Sequence, residues 1–526
     1  MSISREKKDT LKLTALMSFS GVIGRIISIP NAIVIAKFLG PSLLGVLAII
    51  NLIRQYAGYT HLGLLQSLSR DVPIAYGRGD KKEARLITDT VYTGFFFASA
   101  FAVLALWILF ISGVTFKGAL DVSTLVLVSL ILIANRASSF LRAYIKAEGK
   151  FMIIGKLDLI LRFVVPGISI PAVIFYKLKG ALFAMILTEL LSIGYYVVIL
   201  KRPRFRFYLN LRKTLQLLKT GFMIFVNRIS ESLFWSVDLM IIAAMMTIRD
   251  VGIYTIALAA MKIVEPFSQA VNMIVYRKMM VDSGKYDLAP GKHFRKYTEG
   301  LFVLYLMFNS VVIGLGILIY MLIIRTILTR YADSLPIMII LAFGYMIYTS
   351  RIFLSFYLNV TDQLKKRLEI ILIGLGINAF LDYILIVNGW GIKGVAFACS
   401  FSFLFISASI IILSLRQIYG TIQSALFFLF KIIAISAILT LVILVFYEWN
   451  VISYAHLPSY YTKILWGTAD LMMKGLAFSI ACIAAYFLGF KQYQLHQELK
   501  PIGSYVWSSV IGRLKVSKNS VVGSKI

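Results

Sequence analysis

The sequence is poor in the residue types that build most metal sites and disulfide frameworks. It has 2 cysteines and 4 histidines among 526 residues. Cys399 and Cys482 both lie in long apolar runs, without the spacing of a metal pair or a disulfide framework. The histidines are scattered, so no histidine-containing metal site is indicated. Charge is also scarce, at 15% of residues against about 25% in an average soluble domain.

Apolar residues are correspondingly abundant. They make up 59% of the chain, and the mean hydropathy is +0.85, more than a soluble core of this size can bury. We therefore predict an all-α integral membrane protein with about fourteen transmembrane helices, each spanning about 20 residues. The predicted spans 1 to 14 lie at 13–37, 42–66, 89–112, 119–141, 157–177, 180–200, 220–246, 252–276, 297–324, 334–358, 368–388, 393–415, 427–447 and 470–490.

The basic excess predicts the orientation of these spans. With the N-terminus in the cytoplasm, 37 of the 54 Lys and Arg fall on the cytoplasmic side and 9 on the other, as the positive-inside rule requires. The net charge of +30 then reflects topology and attraction to anionic lipids, not nucleic acid. The run after residue 12 is too long for a cleavable signal peptide. We expect a multi-pass bacterial inner-membrane protein with both termini cytoplasmic.

Short motifs recur between the two halves of the chain. KGALFA at 179–184 returns as KGVAFA at 393–398, and the interval of 25 from Gly45 to Arg70 returns from Gly252 to Arg277. Both halves start on the same side, so the repeat is parallel. It predicts two pseudo-symmetric six-helix lobes around a central cleft, plus two extra C-terminal helices. The predicted units are an N-lobe at 1–203, a cytoplasmic amphipathic linker helix at 204–219, a C-lobe at 220–420, spans 13 and 14 at 421–490, and a basic cytoplasmic tail at 491–526.

Several motifs carry a resemblance to a known family. The stretch 37–85 has an LGP-x-x-x-G turn, a following L-G-L, and then Arg and Gly-Asp before span 3. The second half has D-(x)13-G-x-Y from Asp238 to Tyr254 and the K-G-x-x-F-A motif. Over residues 10–490 the chain resembles the polysaccharide flippases of the multidrug/oligosaccharidyl-lipid/polysaccharide (MOP) exporter superfamily. Twelve helices are usual among O-antigen flippases, and fourteen occur in the lipid II flippase and its relatives.

The count by side leaves eight basic residues within the membrane, where charge is costly and marks function. Arg136 and Arg162, near cytoplasmic span ends, are expected to snorkel. Arg25 and Arg54 lie deeper. The predicted substrate-binding residues, which would line a cationic cleft, are Arg25, Arg54, Lys262 and Arg228. The resemblance supports this set, because the lipid II flippase has essential arginines on its first, second and eighth helices.

The alternative for two of these residues is a local ion pair. Arg228 precedes Glu231 by three positions, and Lys262 precedes Glu265 by three, so each pair could be neutralised within one helix. Glu231 and Glu265 are also candidates for ion coupling.

An acidic constellation lies in the second half. Asn378 and Asp382 are four apart in span 11, hence on one helix face, and Asp238 lies deep in span 7. Three hard oxygen ligands suit a small cation. The resemblance implies a Na⁺ site, because the lipid II flippase builds one from an Asp on helix seven and an Asn-x-x-x-Asp on helix eleven. The alternative is that Asp382 snorkels outward and Asp238 pairs with Arg228.

These observations favour a flippase over other classes of protein. We expect ion-coupled alternating access, driven by Na⁺ or H⁺, that moves a polyprenyl-diphosphate-linked oligosaccharide to the outer leaflet. A multidrug or organic-cation antiporter of the same superfamily is the nearest alternative, although spans 1 and 2 carry basic charge. A non-transporting component of a polysaccharide synthesis complex is another, and other polysaccharide-assembly membrane proteins could be partners. A membrane enzyme would need a sizeable extramembrane face with catalytic carboxylates, which is lacking, and no resident cofactor is expected.

Overall fold

The computed structural model describes residues 2–113, 121–201, 203, 205–262, 292–351, 354–355, 357–358, 363–419, 421–448 and 466–480. Long α-helices account for almost all of them. In chain order they are α1 (Ser2–Ala57), α2 (Leu64–Gly77), α3 (Lys81–Ile111), α4 (Val122–Ala147), α5 (Phe151–Ile199), α6 (Leu211–Phe234), α7 (Val237–Met245), α8 (Ile248–Met261), α9 (Lys292–Thr326), α10 (Ser334–Ser350), α11 (Leu364–Val387), α12 (Gly391–Tyr419), α13 (Ile422–Glu448) and α14 (466–480).

Eight helices in the described part of the chain are long and apolar enough to cross a membrane. Their outward faces carry large apolar side chains, such as Phe101 at 63% and Phe175 at 78% exposure. Such faces suit lipid, which is the only solvent that would not penalise them. The protein is therefore an all-α, multi-pass membrane protein. The fourteen predicted spans all overlap helical segments, but the count itself stays a prediction, because residues 263–291 and 481–526 lie outside the described part.

Two of the helices contain a sharp backbone break, so each covers two predicted spans. In α1 the break falls at Gly40, which has φ 71 and is followed by Pro41. Only glycine adopts this backbone conformation without strain, and this is the predicted LGP turn. In α5 the break falls at Lys177, between predicted spans 5 and 6. Its two arms pack closely, because a Cβ on Gly180 would overlap the carbonyl of Ala172.

The predicted repeat has a packing consequence where the two halves meet. Gly45 of α1 and Gly252 of α8 occupy matching positions of the repeat, and each lies against the backbone of the other half. A Cβ on Gly252 would overlap the carbonyl of Pro41, and one on Gly45 would overlap the carbonyl of Ile248. The two helices therefore cross at backbone contact, an approach that only small residues allow.

The predicted linker helix differs from the structure at its start. Residues 205–210 have no regular secondary structure, and α6 begins only at Leu211 and continues into predicted span 7. Phe205 explains the difference, because its ring stacks among those of Tyr92, Phe140 and Tyr144, with centroids 5.0–5.3 Å away. These contacts hold the linker on α3 and α4 instead of leaving it as a free amphipathic helix on the membrane surface.

Polar contacts reinforce this docking of the linker. The backbone N–H of Arg206 donates to Asp89 Oδ1 at 3.1 Å, and that of Tyr208 donates to Thr93 Oγ1 at 2.8 Å. Buried backbone groups of a segment without regular secondary structure need such partners. Lys213, in the first turn of α6, reaches Glu83 at 2.5 Å. The N-terminal part of α6 is thereby fixed to the first half of the molecule.

Candidate functional site

Two clusters of polar residues lie within the apolar helices, one acidic and one basic. The acidic cluster begins at the break between α6 and α7, which leaves Asp238 in the first turn of α7. The Asp238 carboxylate is 3% exposed. Tyr254 of α8 donates to its Oδ2 at 2.5 Å, and the side-chain amide of Asn378 on α11 donates to its Oδ1 at 2.5 Å. Three helices therefore converge on one buried carboxylate.

Asp382 completes the acidic cluster one turn further along α11. It is fully buried, as is Asn378, because both face the same side of the helix. In the described part of the chain, neither carboxylate oxygen of Asp382 has a hydrogen-bond partner, and neither does Oδ1 of Asn378. Buried oxygens are normally paired. Three unpaired hard oxygens beside a second carboxylate are the donor set that a small cation such as Na⁺ requires.

The structure contradicts the alternative interpretation of these acids. Asp382 does not snorkel outward, because none of its surface is exposed. The side chains of Tyr254, Asn378 and Cys399 hydrogen-bond Asp238, and within the described part of the chain no ion pair joins it to Arg228. The predicted grouping of Asp238, Asn378 and Asp382 is thus a grouping in space, whereas its role in ion coupling stays a prediction.

The basic cluster centres on Arg54, in the last turn of α1. One of its guanidinium nitrogens lies 3.9 Å from Glu189 Oε1 on α5, and the two side chains are 36% and 16% exposed. Residues of α4 hold Glu189 in place independently of Arg54. Asn135 donates to its Oε1 at 2.8 Å, and Ser138 donates to its Oε2. Residues 54, 135 and 189 lie 10 to 13 positions from Pro41, Val122 and Lys179, respectively, which mark the predicted non-cytoplasmic ends of their spans. At 1.5 Å per residue, each is about 15–20 Å from that side of the membrane, which is mid-membrane depth.

The other predicted basic residues differ in their surroundings. Lys262 is half-buried and directly follows α8. Arg228 is exposed on α6. The side chain of Arg25, within α1, lies outside the described residues, and so does Glu265. Convergence of these residues on one cleft stays a prediction.

The alternative of a local ion pair between Arg228 and Glu231 is wrong, because Glu231 has a different partner. Among the described residues, Glu231 forms its ion pair with Arg367, at the start of α11. Glu231 is therefore paired between two helices, and its role in ion coupling stays a prediction.

The expectation that Arg136 snorkels is also wrong. Its side chain is 4% exposed and clamps the break between α1 and α2. Its three guanidinium nitrogens donate to Gly58 O at 2.7 Å, Thr60 Oγ1 at 2.9 Å and Ser99 Oγ at 3.1 Å, and the group lies 4.4 Å above the ring of Phe95. A helix broken within a membrane must have its freed backbone groups satisfied by neighbours, and Arg136 does this for Gly58.

Comparison with known proteins identifies the fold and the family. A family model described as "Polysaccharide biosynthesis protein" matches residues 10–279, just over half of the chain. The chain belongs to this family. No curated protein matches the sequence significantly.

Solved structures of MOP-type transporters share the fold. The lipid II flippase MurJ in an inward closed conformation is 16% identical, with a TM-score of 0.52 over 89% of this chain and 100% of that chain. An inward-facing multidrug resistance MATE family transporter of the MOP superfamily is 14% identical, with a TM-score of 0.51 over 77% and 99%. The predicted all-α membrane fold is thereby confirmed. This member of the polysaccharide biosynthesis family therefore has the fold of these membrane transporters.

The structure adds functional candidates in this family member that the sequence reasoning did not select. Glu189 was missed, although a lone acid in the middle of predicted span 6 is a signal in itself. Gln55 and Tyr56 were missed as well. They reach across to the second half, where Gln55 donates to Ser232 Oγ at 2.5 Å and the Tyr56 hydroxyl hydrogen-bonds Ser236. No sequence pattern identifies these residues, because their partners lie more than 170 positions away.

Proposed function

We propose that this protein is a flippase that moves a polyprenyl-diphosphate-linked oligosaccharide from the inner to the outer leaflet. Membership of the polysaccharide biosynthesis family implies a lipid-linked glycan as the substrate. The observation that carries the proposal is Arg54, a partly exposed guanidinium at mid-membrane depth. A diphosphate crossing the bilayer loses its water, and a guanidinium can replace that water with two parallel hydrogen bonds.

The finer architecture belongs to the same proposal. We take the chain to have fourteen helices in two lobes with cytoplasmic termini, and Arg25, Lys262 and Arg228 to join Arg54 along the cleft between the lobes. The lobes would open alternately to either side. The backbone contacts of Gly45 and Gly252 and the bonds of Gln55 and Tyr56 to α6 and its end hold α1 against the second half in the present conformation.

Ion coupling would act through the acidic cluster. Asp382 and Asn378 present three unpaired oxygens that fit Na⁺, and Asp238 is oriented beside them by Tyr254. Two buried carboxylates repel each other in a low dielectric, so a bound cation supplies the compensating charge. If H⁺ drives the cycle instead, the Asp382 carboxylate is the group that would take the proton, because no described residue donates a hydrogen bond to its oxygens.

The test of substrate transport is a reconstituted assay. Purified protein in liposomes is given a fluorescent polyprenyl-diphosphate-linked oligosaccharide, and its appearance in the opposite leaflet is followed by quenching. We expect Arg54→Ala and Arg25→Ala to abolish movement. The matched control is Arg249→Ala, which removes an exposed arginine paired with Asp333 at 3.2 Å and should retain it. Full activity in both cleft variants would refute the proposal, as would a wild type that moves only organic cations or no lipid.

Coupling is tested in the same vesicles by imposing and collapsing the Na⁺ and H⁺ gradients. Wild-type transport should depend on one of the two, and Asp382→Asn should remove that dependence. The control Asp158→Asn, which neutralises an acid paired with Arg142 on α4, should keep it. Transport that is insensitive to the collapse of both gradients would rule out ion coupling.

A further inference from the structure

Arg54 and Glu189 form an unequal pair. The acid is fixed, because Asn135 and Ser138 of α4 hold its two oxygens. The base is not fixed in the same way, because its side chain is 36% exposed and its nitrogen is 3.9 Å from the acid. This distance is well beyond the roughly 2.7–2.9 Å of a direct charge-assisted hydrogen bond. The attraction is therefore electrostatic only, and Arg54 can leave Glu189 without breaking a hydrogen bond between them.

A second ion pair in the same half of the molecule shows the contrast. Arg142 of α4 and Asp158 of α5 make two parallel hydrogen bonds, at 3.0 and 2.7 Å. That geometry is the bidentate one of a structural pair. Glu189 also lies on α5, but its contact with Arg54 of α1 lacks this geometry. The longer contact suits an acid that neutralises Arg54 only until a ligand binds there.

We propose that Glu189 is the resident counter-ion of Arg54 and sets the minimum charge that a lipid headgroup must carry to bind there. The cost of separating Arg54 from Glu189 is the same for every ligand, whereas the gain at Arg54 grows with the charge of the ligand. A phosphodiester lipid carries one negative charge, as Glu189 does, and the exchange yields no net gain. A diphosphate carries two and does displace the acid. The specificity then comes from weakening the binding of phosphodiester lipids and not from strengthening the binding of the diphosphate lipid.

The inference rests on the proposed function and gives it a specificity-determining residue. A guanidinium exposed within a bilayer faces phosphodiester lipids in great excess over any diphosphate lipid. Without a counter-ion, Arg54 would bind the bulk lipids, and the pathway would be blocked or would scramble them. Glu189 prevents this at a position that no motif of the sequence marks.

The experiment uses Glu189→Gln, which keeps the size of the side chain and one of its two accepting oxygens but removes its charge. Full-length protein is reconstituted in phosphatidylcholine vesicles, and movement of fluorescent phosphatidylglycerol is compared with movement of fluorescent polyprenyl-diphosphate-linked oligosaccharide. In Glu189→Gln we expect movement of phosphatidylglycerol to rise on the order of tenfold. Unlabelled phosphatidylglycerol should now inhibit movement of the diphosphate lipid, as it does not in wild type.

Controls separate a specific from a general effect. Asp158→Asn breaks the neighbouring ion pair and should leave phosphatidylglycerol excluded. Ser138→Ala releases one anchor of Glu189 and should give an intermediate rise, which tests the idea independently if Glu189→Gln does not fold. Glu189→Asp keeps the charge and should restore exclusion.

The two proposals fail differently. A wild type that moves no diphosphate lipid overturns the proposed function. If wild type moves it, and both Glu189→Gln and Ser138→Ala exclude phosphatidylglycerol as wild type does, only the role of Glu189 is overturned.

Discussion

Removal of the Arg136 guanidinium should destabilise the protein more than removal of any other arginine considered above. The change Arg136→Met keeps the length and the apolar stem of the side chain but deletes its three hydrogen bonds, to Gly58, Thr60 and Ser99. Arg136 is 4% exposed, so water cannot replace these bonds. The break between α1 and α2 would lose the group that holds it to α4.

The magnitude follows from the geometry. Each hydrogen bond to a charged group contributes about 1.5–3 kcal/mol, which puts three bonds at about 4.5 kcal/mol on the low estimate. Gly58 and Thr60 are only half-buried, and removal of a buried charge recovers part of its desolvation cost. We therefore expect a loss of about 3 kcal/mol for Arg136→Met. Thr60→Val removes a hydroxyl that accepts from Arg136 and donates to the carbonyls of Ala57 and Ala98, and should cost about 1 kcal/mol.

The measurement is unfolding of the purified protein in detergent, by heat and by SDS titration, with intrinsic tryptophan fluorescence as the signal. Arg162→Met is the matched control, because Arg162 is a half-buried arginine on α5 and should change stability by less than about 0.5 kcal/mol. The expected order of stability is wild type and Arg162→Met, then Thr60→Val, then Arg136→Met. An Arg136→Met protein as stable as the Arg162→Met control would refute the clamp.

Two further predictions concern packing between elements. Gly252→Val should force α1 and α8 apart, because a Cβ at this position already overlaps Pro41 O. A cysteine placed near Pro41 should then react faster with a water-soluble maleimide than the same cysteine in a protein that keeps Gly252. An unchanged rate would contradict the close crossing of the two helices. Phe205→Ala should release the linker from α3 and α4 at a cost of about 2 kcal/mol, since the ring is half-buried. Proteolysis after Lys213 should accelerate, whereas the same change at the exposed Phe207 should have less effect.

The sequence predicted the fold better than it predicted contacts. Apolar runs, the Gly40–Pro41 turn and the recurring glycines follow from local chemistry, so the all-α membrane class could be inferred without coordinates. The superfamily was indicated only by the resemblance of the motifs to a known family. The pairing of Asn378 with Asp382 followed from helical spacing, and its approach to Asp238 followed from the family resemblance. Partners of single charges did not follow, because Glu231 had a plausible partner at Arg228 on its own helix and instead binds Arg367 on another.

Two sites show most clearly where sequence and structure each decide. Hydropathy and charge determined by themselves that this chain crosses the membrane many times, because burial in lipid depends on composition along the chain and on little else. The positions of Arg54 and Asp382 within their predicted spans also indicated that their charges are costly to place in the membrane. Only the tertiary structure decided what neutralises them. Glu189 lies beside Arg54 because distant helices pack together, and the same packing leaves the Asp382 oxygens without a partner among the described residues. Side-chain partners across helices are not encoded in local periodicity.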